Sequence, residues 1–102
     1  MVKLKKISDS KFQFEVATTA GAKLLNSIYF SSKKELNSAV LRLPTVVESS
    51  TNFERKTDYS GRFIFHVKDT SGNTLGHSDT YTSEAGMENG IKNLKKHITL
   101  NK

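Results

Sequence analysis

At 102 residues, with 35% apolar and 25% charged residues, the chain is short enough for one domain and has a globular but polar balance. It contains no cysteine, which excludes disulfides, thiolate catalysis and cysteine-ligated zinc. The net charge of +6 allows attraction to nucleic acid or an acidic surface, but the excess is spread over both halves with no basic arm.

The start of the chain, Met1 to Phe12, is charged and alternating. It lacks the apolar stretch of a signal peptide, and no segment is long enough to span a membrane, so a cytoplasmic protein is expected. Residues 2–6 predict a short edge-like strand. Ser8-Asp9-Ser10 supplies turn chemistry, and Phe12-Gln13-Phe14-Glu15-Val16 alternates as a half-buried strand does. Gly21 marks the next turn and leads into a third strand near residues 23–30. Ser32-Lys33-Lys34-Glu35 has capping-box spacing, and Leu36, Ala39, Val40 and Leu43 then form an apolar helical stripe. Pro44 is expected to stop that helix, because it lacks an N–H and restricts the residue before it. Thr45-Val46-Val47-Glu48 then reads as a fourth, short strand.

The same order follows from residue 52 onward. Residues 53–57 predict a strand, Asp58-Tyr59-Ser60-Gly61 a turn, and Phe63-Ile64-Phe65-His66-Val67 a second aromatic strand. Asp69-Thr70-Ser71-Gly72 turns into a strand near 74–82. Ser83 is the expected cap of a helix whose stripe is Met87, Gly90, Ile91 and Leu94. His97-Ile98-Thr99-Leu100 closes the series as a short β-prone run.

These parallels amount to a repeat. Residues 1–51 and 52–102 align without a gap, and ten positions are identical. They are Lys5/Lys56, Phe12/Phe63, Phe14/Phe65, Val16/Val67, Thr19/Thr70, Gly21/Gly72, Leu24/Leu75, Ser27/Ser78, Ser32/Ser83 and Leu43/Leu94. Ordinary composition gives roughly three. Phe30/Tyr81, Leu36/Met87, Val40/Ile91 and Val47/Ile98 preserve the core pattern as well. The expected fold is α+β. Two tandem units share one antiparallel sheet about a pseudo-twofold axis, with both helices on one face. One copy is too small to bury its own apolar face well.

Tyr81-Thr82-Ser83-Glu84-Ala85-Gly86-Met87-Glu88-Asn89-Gly90-Ile91 resembles the signature of the YegP-like family of small tandem-repeat proteins. Arg62-Phe63-Ile64-Phe65 and Ser71-Gly72-Asn73 are similar to that family's aromatic strand and glycine turn. The first unit is a degenerate repeat. It keeps the serine cap but lacks the Ala-Gly and Asn-Gly pairs. The resemblance implies β-β-β-α-β units that exchange their last strands, residues 45–49 lying beside unit two and 97–100 beside unit one. It implies no activity.

Candidate functional residues are few. His66, His77 and Asp79 would suit a two-histidine, one-carboxylate metal site if they converged, but three ordinary histidines are the simpler reading. No Gly-x-Ser-x-Gly or other nucleophile signature occurs, so no enzyme and no cofactor is expected. Gly86 and Gly90 share a helix face and offer either a smooth partner surface, with exposed Glu88 and Asn89 beside them, or a site of close packing, which is preferred. Lys33, Lys34 and Arg42 on the first helix and Lys92, Lys95 and Lys96 on the second are candidate nucleic-acid contacts; the last three also suit a helix C-terminus. The favoured expectation is an interaction module without catalytic activity, binding a protein partner or itself. Nucleic-acid binding through the basic helix faces is the alternative, and a metal-dependent role the third.

Overall fold

The computed structural model describes residues 2–18 and 20–100, the side chains of residues 50, 99 and 100 excepted. The elements are β1 (Val2–Ser8), β2 (Lys11–Ala17), β3 (Lys23–Ser27), α1 (Lys33–Glu48), a 3-10 turn (Ser50–Asn52), β4 (Phe53–Thr57), β5 (Phe63–Lys68), β6 (Thr74–His77) and α2 (Glu84–Leu100). The strands form one antiparallel sheet of order β1-β2-β3-β6-β5-β4. Both meanders fold locally, and among the described residues the sheet joins them through β3 and β6.

Strand alternation sets the core. Phe14, Val16, Phe65 and Val67 are fully buried, while Gln13, Ile64 and His66 between or beside them point the other way. Leu24 and Leu75 are buried at equivalent irregularities of the two hairpins. α1 lies against β2 and β5, α2 against β3 and β5, and the helices touch each other. Both therefore cover the same face of the sheet.

The ladder register of the second half repeats that of the first. Val2↔Val16, Lys3↔Glu15 and Leu4↔Phe14 recur 51 residues on as Phe53↔Val67, Glu54↔His66 and Arg55↔Phe65. The bridge Phe12↔Phe30 recurs as Phe63↔Tyr81. At the sheet centre Asn26 faces His77, its own counterpart at that offset.

Both serine caps form. The Glu35 N–H donates to Ser32 Oγ (3.1 Å) and the Gly86 N–H to Ser83 Oγ (3.0 Å). The Glu35 side chain does not return to its cap, accepting instead from the Ser31 hydroxyl at 2.9 Å.

Two expectations fail together. The exchanged last strands at 45–49 and 97–100 do not exist, because residues 45–48 continue α1 and 97–100 continue α2. Pro44 lies inside α1 and does not end it. Its missing N–H and ring clash cost about 3 kcal/mol in a helix interior. Against that, Val46 and Val47 are 3% and 0% exposed and extend the stripe of Leu36, Ala39 and Leu43. Burying two valines contributes roughly 1.5–3 kcal/mol each, which offsets the proline. Ile98, 3% exposed, does the same for α2.

Candidate functional site

An open groove of about 840 Å³ lies where the two halves meet. Its floor is Ile28, Phe30 and Leu75. One wall is the face of α1 carrying Lys34, Ser38 and Arg42, spaced four apart and so aligned along the helix. The opposite wall is the β5–β6 turn with Asp69 and Asn73. That turn is rigid: Asp69 Oδ1 accepts from the N–H groups of Ser71 (2.9 Å) and Asn73 (3.0 Å), and Gly72 takes φ +86°. Ile28, 41% exposed, leaves apolar surface open to a ligand. The groove thus combines an apolar floor with two cations, Lys34 and Arg42, and two carboxylates, Glu35 and Asp69, of which Asp69 already accepts two backbone N–H groups through Oδ1.

Two smaller clefts occupy equivalent positions at the sheet edges. Leu4, Lys5, Lys6, Phe12, Lys33 and Leu36 line one of about 460 Å³. Arg55, Lys56, Thr57, Phe63, Glu84 and Met87 line the other, of about 230 Å³. The basic residues expected to act together are therefore divided. Lys34 and Arg42 line the main groove and Lys33 the β1 cleft. On α2, Lys92 and Lys96 are exposed, while Lys95 is half-buried with Nζ 5.3 Å from the centre of the Phe53 ring.

The glycine patch is packing, not an open surface. Gly90 is buried beneath Tyr81; a Cβ there would meet Tyr81 Cζ at 2.6 Å and clash with the hydroxyl. A Cβ on Gly86 would meet Ser83 Oγ at 3.1 Å and the Tyr81 ring beyond it. The partner proves to be Tyr81, which stacks on Phe65, and not the sheet itself. Burial raises the Tyr81 phenol pKa. Asn89 is exposed. Glu88 reaches β4, where Arg55 Nη2 donates to it at 3.0 Å and holds its carboxyl below the usual range.

His66 and His77 do meet. They are cross-strand partners with ring centres 6.1 Å apart on the face of the sheet away from the helices. Burial, then Lys56, lowers the His66 pKa. Asp79, the third residue of the less favoured metal-site alternative, does not join them in such a group. Among the described residues no group of three or more His, Cys, Asp or Glu is placed to hold a metal ion. The strand ends at His77, and the Ser78 hydroxyl bonds the Asp79 carbonyl where the chain leaves the ladder.

Glu54, beside His66, has its carboxyl held down at about 2, from a usual 4.5, by hydrogen bonds from Lys68 (2.7 Å) and then Lys56 (3.0 Å). A depressed folded pKa stabilises fully above pH 4.5 and loses that contribution as pH falls towards 2. Replacing Lys68 by Met is expected to move the Glu54 titration up towards 4.5 and to flatten the loss of stability across that window. Carboxyl chemical shifts and urea midpoints against pH would show both; an unmoved titration would remove Lys68 as the cause. Glu15 is likewise lowered by its bond to Lys5. None of these shifted groups lines the main groove.

The sequence missed this groove because its two walls come from different halves. Its strongest available signal was the row Lys34, Ser38, Arg42 on one helix face.

Comparison with known proteins adds fold and kinship. Residues 58–100 match the model of a domain of unknown function (DUF1508). The chain is 32% identical over 96 residues to UPF0339 protein PA0329 of Pseudomonas aeruginosa, covering 91% of this chain and 84% of that one. It is 28% identical over 96 residues to UPF0339 protein YegP of Escherichia coli O157:H7, covering 94% and 87%. The solution NMR structure of E. coli yegP, described as a protein of unknown function, superposes with TM-score 0.88 at 26% identity, over 96% of this chain and 84% of that one. The solution NMR structure of UPF0339 protein SO3888 from Shewanella oneidensis shares the fold, with TM-score 0.89 at 21% identity over 96% and 83%. Among the described residues, no helix is long and apolar enough to cross a membrane.

Proposed function

The chain belongs to the UPF0339 family, and on that premise we propose that it is a cytoplasmic, non-catalytic interaction module built from two repeats, which holds a segment of a partner protein in the groove between α1 and the β5–β6 turn. The observation that carries this reading is the chemistry of the groove. Its apolar floor of Ile28, Phe30 and Leu75 would bury an apolar side chain, and Lys34 and Arg42 would hold polar or acidic groups beside it. Its serines, Ser32 and Ser38, have no histidine beside them in the lining, which speaks against a serine–histidine nucleophile there. Its volume suits a short segment better than a whole domain face. The cytoplasmic setting rests on the sequence reading alone.

A benzophenone side chain at Ser38, which lines the groove, tests this in living cells. The control position is Leu41, 81% exposed on the same helix and outside the lining. A discrete protein adduct at Ser38 and none at Leu41 is the expected result; an adduct with a second copy of the chain would identify the partner as itself. Adducts with RNA or DNA would replace this reading with the nucleic-acid alternative through Lys33, Lys34, Arg42, Lys92, Lys95 and Lys96. Equal or absent adducts at the two positions would remove the groove as a binding site.

A further inference from the structure

We propose that the β1 edge of the sheet, with the cleft beside it, binds an extended acidic peptide segment of a partner protein as an added seventh strand. β1 ends the sheet and is exposed from Lys3 to Ser8. Half of an edge strand's backbone groups have no ladder partner within the sheet, so they can receive another strand. Beside that edge the cleft of about 460 Å³ has an apolar floor, with Leu36 buried, Phe12 half-buried and Leu4 49% exposed. Lys5, Lys6 and Lys33 surround it.

The equivalent edge at β4 shows what a closed version looks like. Its cleft is half the volume, Arg55 stands in place of Leu4 and is taken by Glu88, and Glu84 stands in place of Lys33. Asn37 occupies the position of Glu88 in the first half, so no such internal carboxylate closes the β1 cleft. Lys6 pairs with Asp9 at 3.4 Å, both side chains exposed. Glu15 is shared among Lys5, Lys23 and Lys3, which leaves the edge with surplus positive charge.

That charge decides the occupant. Two copies paired through β1 would set Lys3, Lys5 and Lys6 against the same lysines, and like charges on facing strands destabilise pairing. A nucleic acid would meet the cations but has no peptide ladder for the edge and no aliphatic side chain for the floor. An extended peptide uses all three features. Leu4 lies on the helix side of β1, opposite Phe14 in the ladder, and Lys3 and Lys5 lie on the other side. The matching segment is therefore an acidic–apolar–acidic triplet with its apolar side chain over Leu4 and Phe12.

This inference rests on the reading of the chain as a protein-binding module but uses a different surface, so the crosslinking at Ser38 and the test below can fail separately. The probe is a labelled peptide of about eight residues, matched to the length of a single strand, alternating Glu with Val or Ile. Binding to the full chain is followed by fluorescence anisotropy and amide chemical shifts. Expected are shifts confined to β1 and the start of α1, and about a tenfold loss of affinity for Lys33→Glu and for Lys3→Glu. A peptide with one central proline should bind much more weakly, because it cannot complete the ladder. Equal binding of the proline peptide would overturn strand addition. So would shifts centred on β4 or on the α1 groove, tighter binding of a single-stranded oligonucleotide to the same lysines, or no binding by the peptide.

Discussion

Gly76→Ala is expected to lower stability by roughly 3 kcal/mol, near the upper end for overpacking a tight site. For a domain of this size that corresponds to a fall in melting temperature of about 12–24 °C. The reason is local and backbone-to-backbone. Gly76 on β6 pairs with Ser27 on β3, and a Cβ there would lie 2.6 Å from the Asn26 carbonyl oxygen and 3.0 Å from Ser27 Cα. Neither atom belongs to a side chain that can rotate away. Relief requires β3 and β6 to separate, and among the described residues it is their pairing that joins the two halves of the sheet. Replacing glycine also restricts the unfolded chain, which favours folding by about 0.4–1 kcal/mol, so the steric cost must exceed that. Gly90→Ala is the instructive contrast. Its obstacle is the Tyr81 ring, a side chain that can swing, and alanine is favoured over glycine in a helix by about 1 kcal/mol. Gly90→Ala should therefore cost less than Gly76→Ala, and Tyr81→Leu should relieve the first but not the second. A Gly76→Ala protein melting within a few degrees of the parent would show that the β3–β6 junction yields.

Gly76 also marks where sequence reading stops. Its counterpart at the 51-residue offset is Leu25, and nothing in the surrounding letters distinguishes a glycine forced by a neighbouring strand from one that is merely tolerated. Strands β2 and β5 were legible because Phe12, Phe14, Val16 and Phe63, Phe65, Val67 recur at period two, and the helix starts because serine precedes each apolar stripe. The helix ends were misread for one physical reason. Val46, Val47 and Ile98 are β-branched, and a short β-branched run carries no period of its own. Read instead as the next turn of Leu36, Ala39 and Leu43, or of Met87, Ile91 and Leu94, each falls on the buried face. Pro44 strengthened the wrong reading, since its local cost is certain and the burial that offsets it is tertiary. The candidate site was legible in pieces: Lys34 and Arg42 could be placed on one helix, but not opposite Asp69. The glycine pair carried the opposite difficulty. Its helix positions were visible, while its partner, Tyr81, lay at the bridge to Phe63 before the helix.

The Ser27/Ser78 identity has a structural cause with a measurable cost. Where β5 and the end of β6 part, Ser78 donates its own N–H to the Phe65 carbonyl (2.9 Å). Its hydroxyl then accepts the Phe65 N–H (3.0 Å) and donates to the Asp79 carbonyl (2.8 Å). Ser27 does the same for Phe14 and Ile28, at 2.9 Å and 2.7 Å. In both hairpins a hydroxyl stands in for a ladder carbonyl that has turned away, which lets the strand leave the sheet without an unpaired buried amide. Ser78 is 1% exposed and Ser27 2%, so water cannot readily take the vacant place. Alanine at position 78 removes both bonds and strands the Phe65 N–H in the core, a penalty of about 1–3 kcal/mol. Ser78→Ala is thus expected to lose about 2 kcal/mol in urea denaturation, and Ser27→Ala a similar amount. A general packing defect would give the same global loss, so the decisive readout is local. Under native conditions the Phe65 amide should exchange faster in Ser78→Ala while the Phe14 amide keeps its protection, and Ser27→Ala should reverse the pattern. Unchanged protection at Phe65 in Ser78→Ala would mean that the hydroxyl is not what satisfies that amide, and the identity of the two serines would need another explanation.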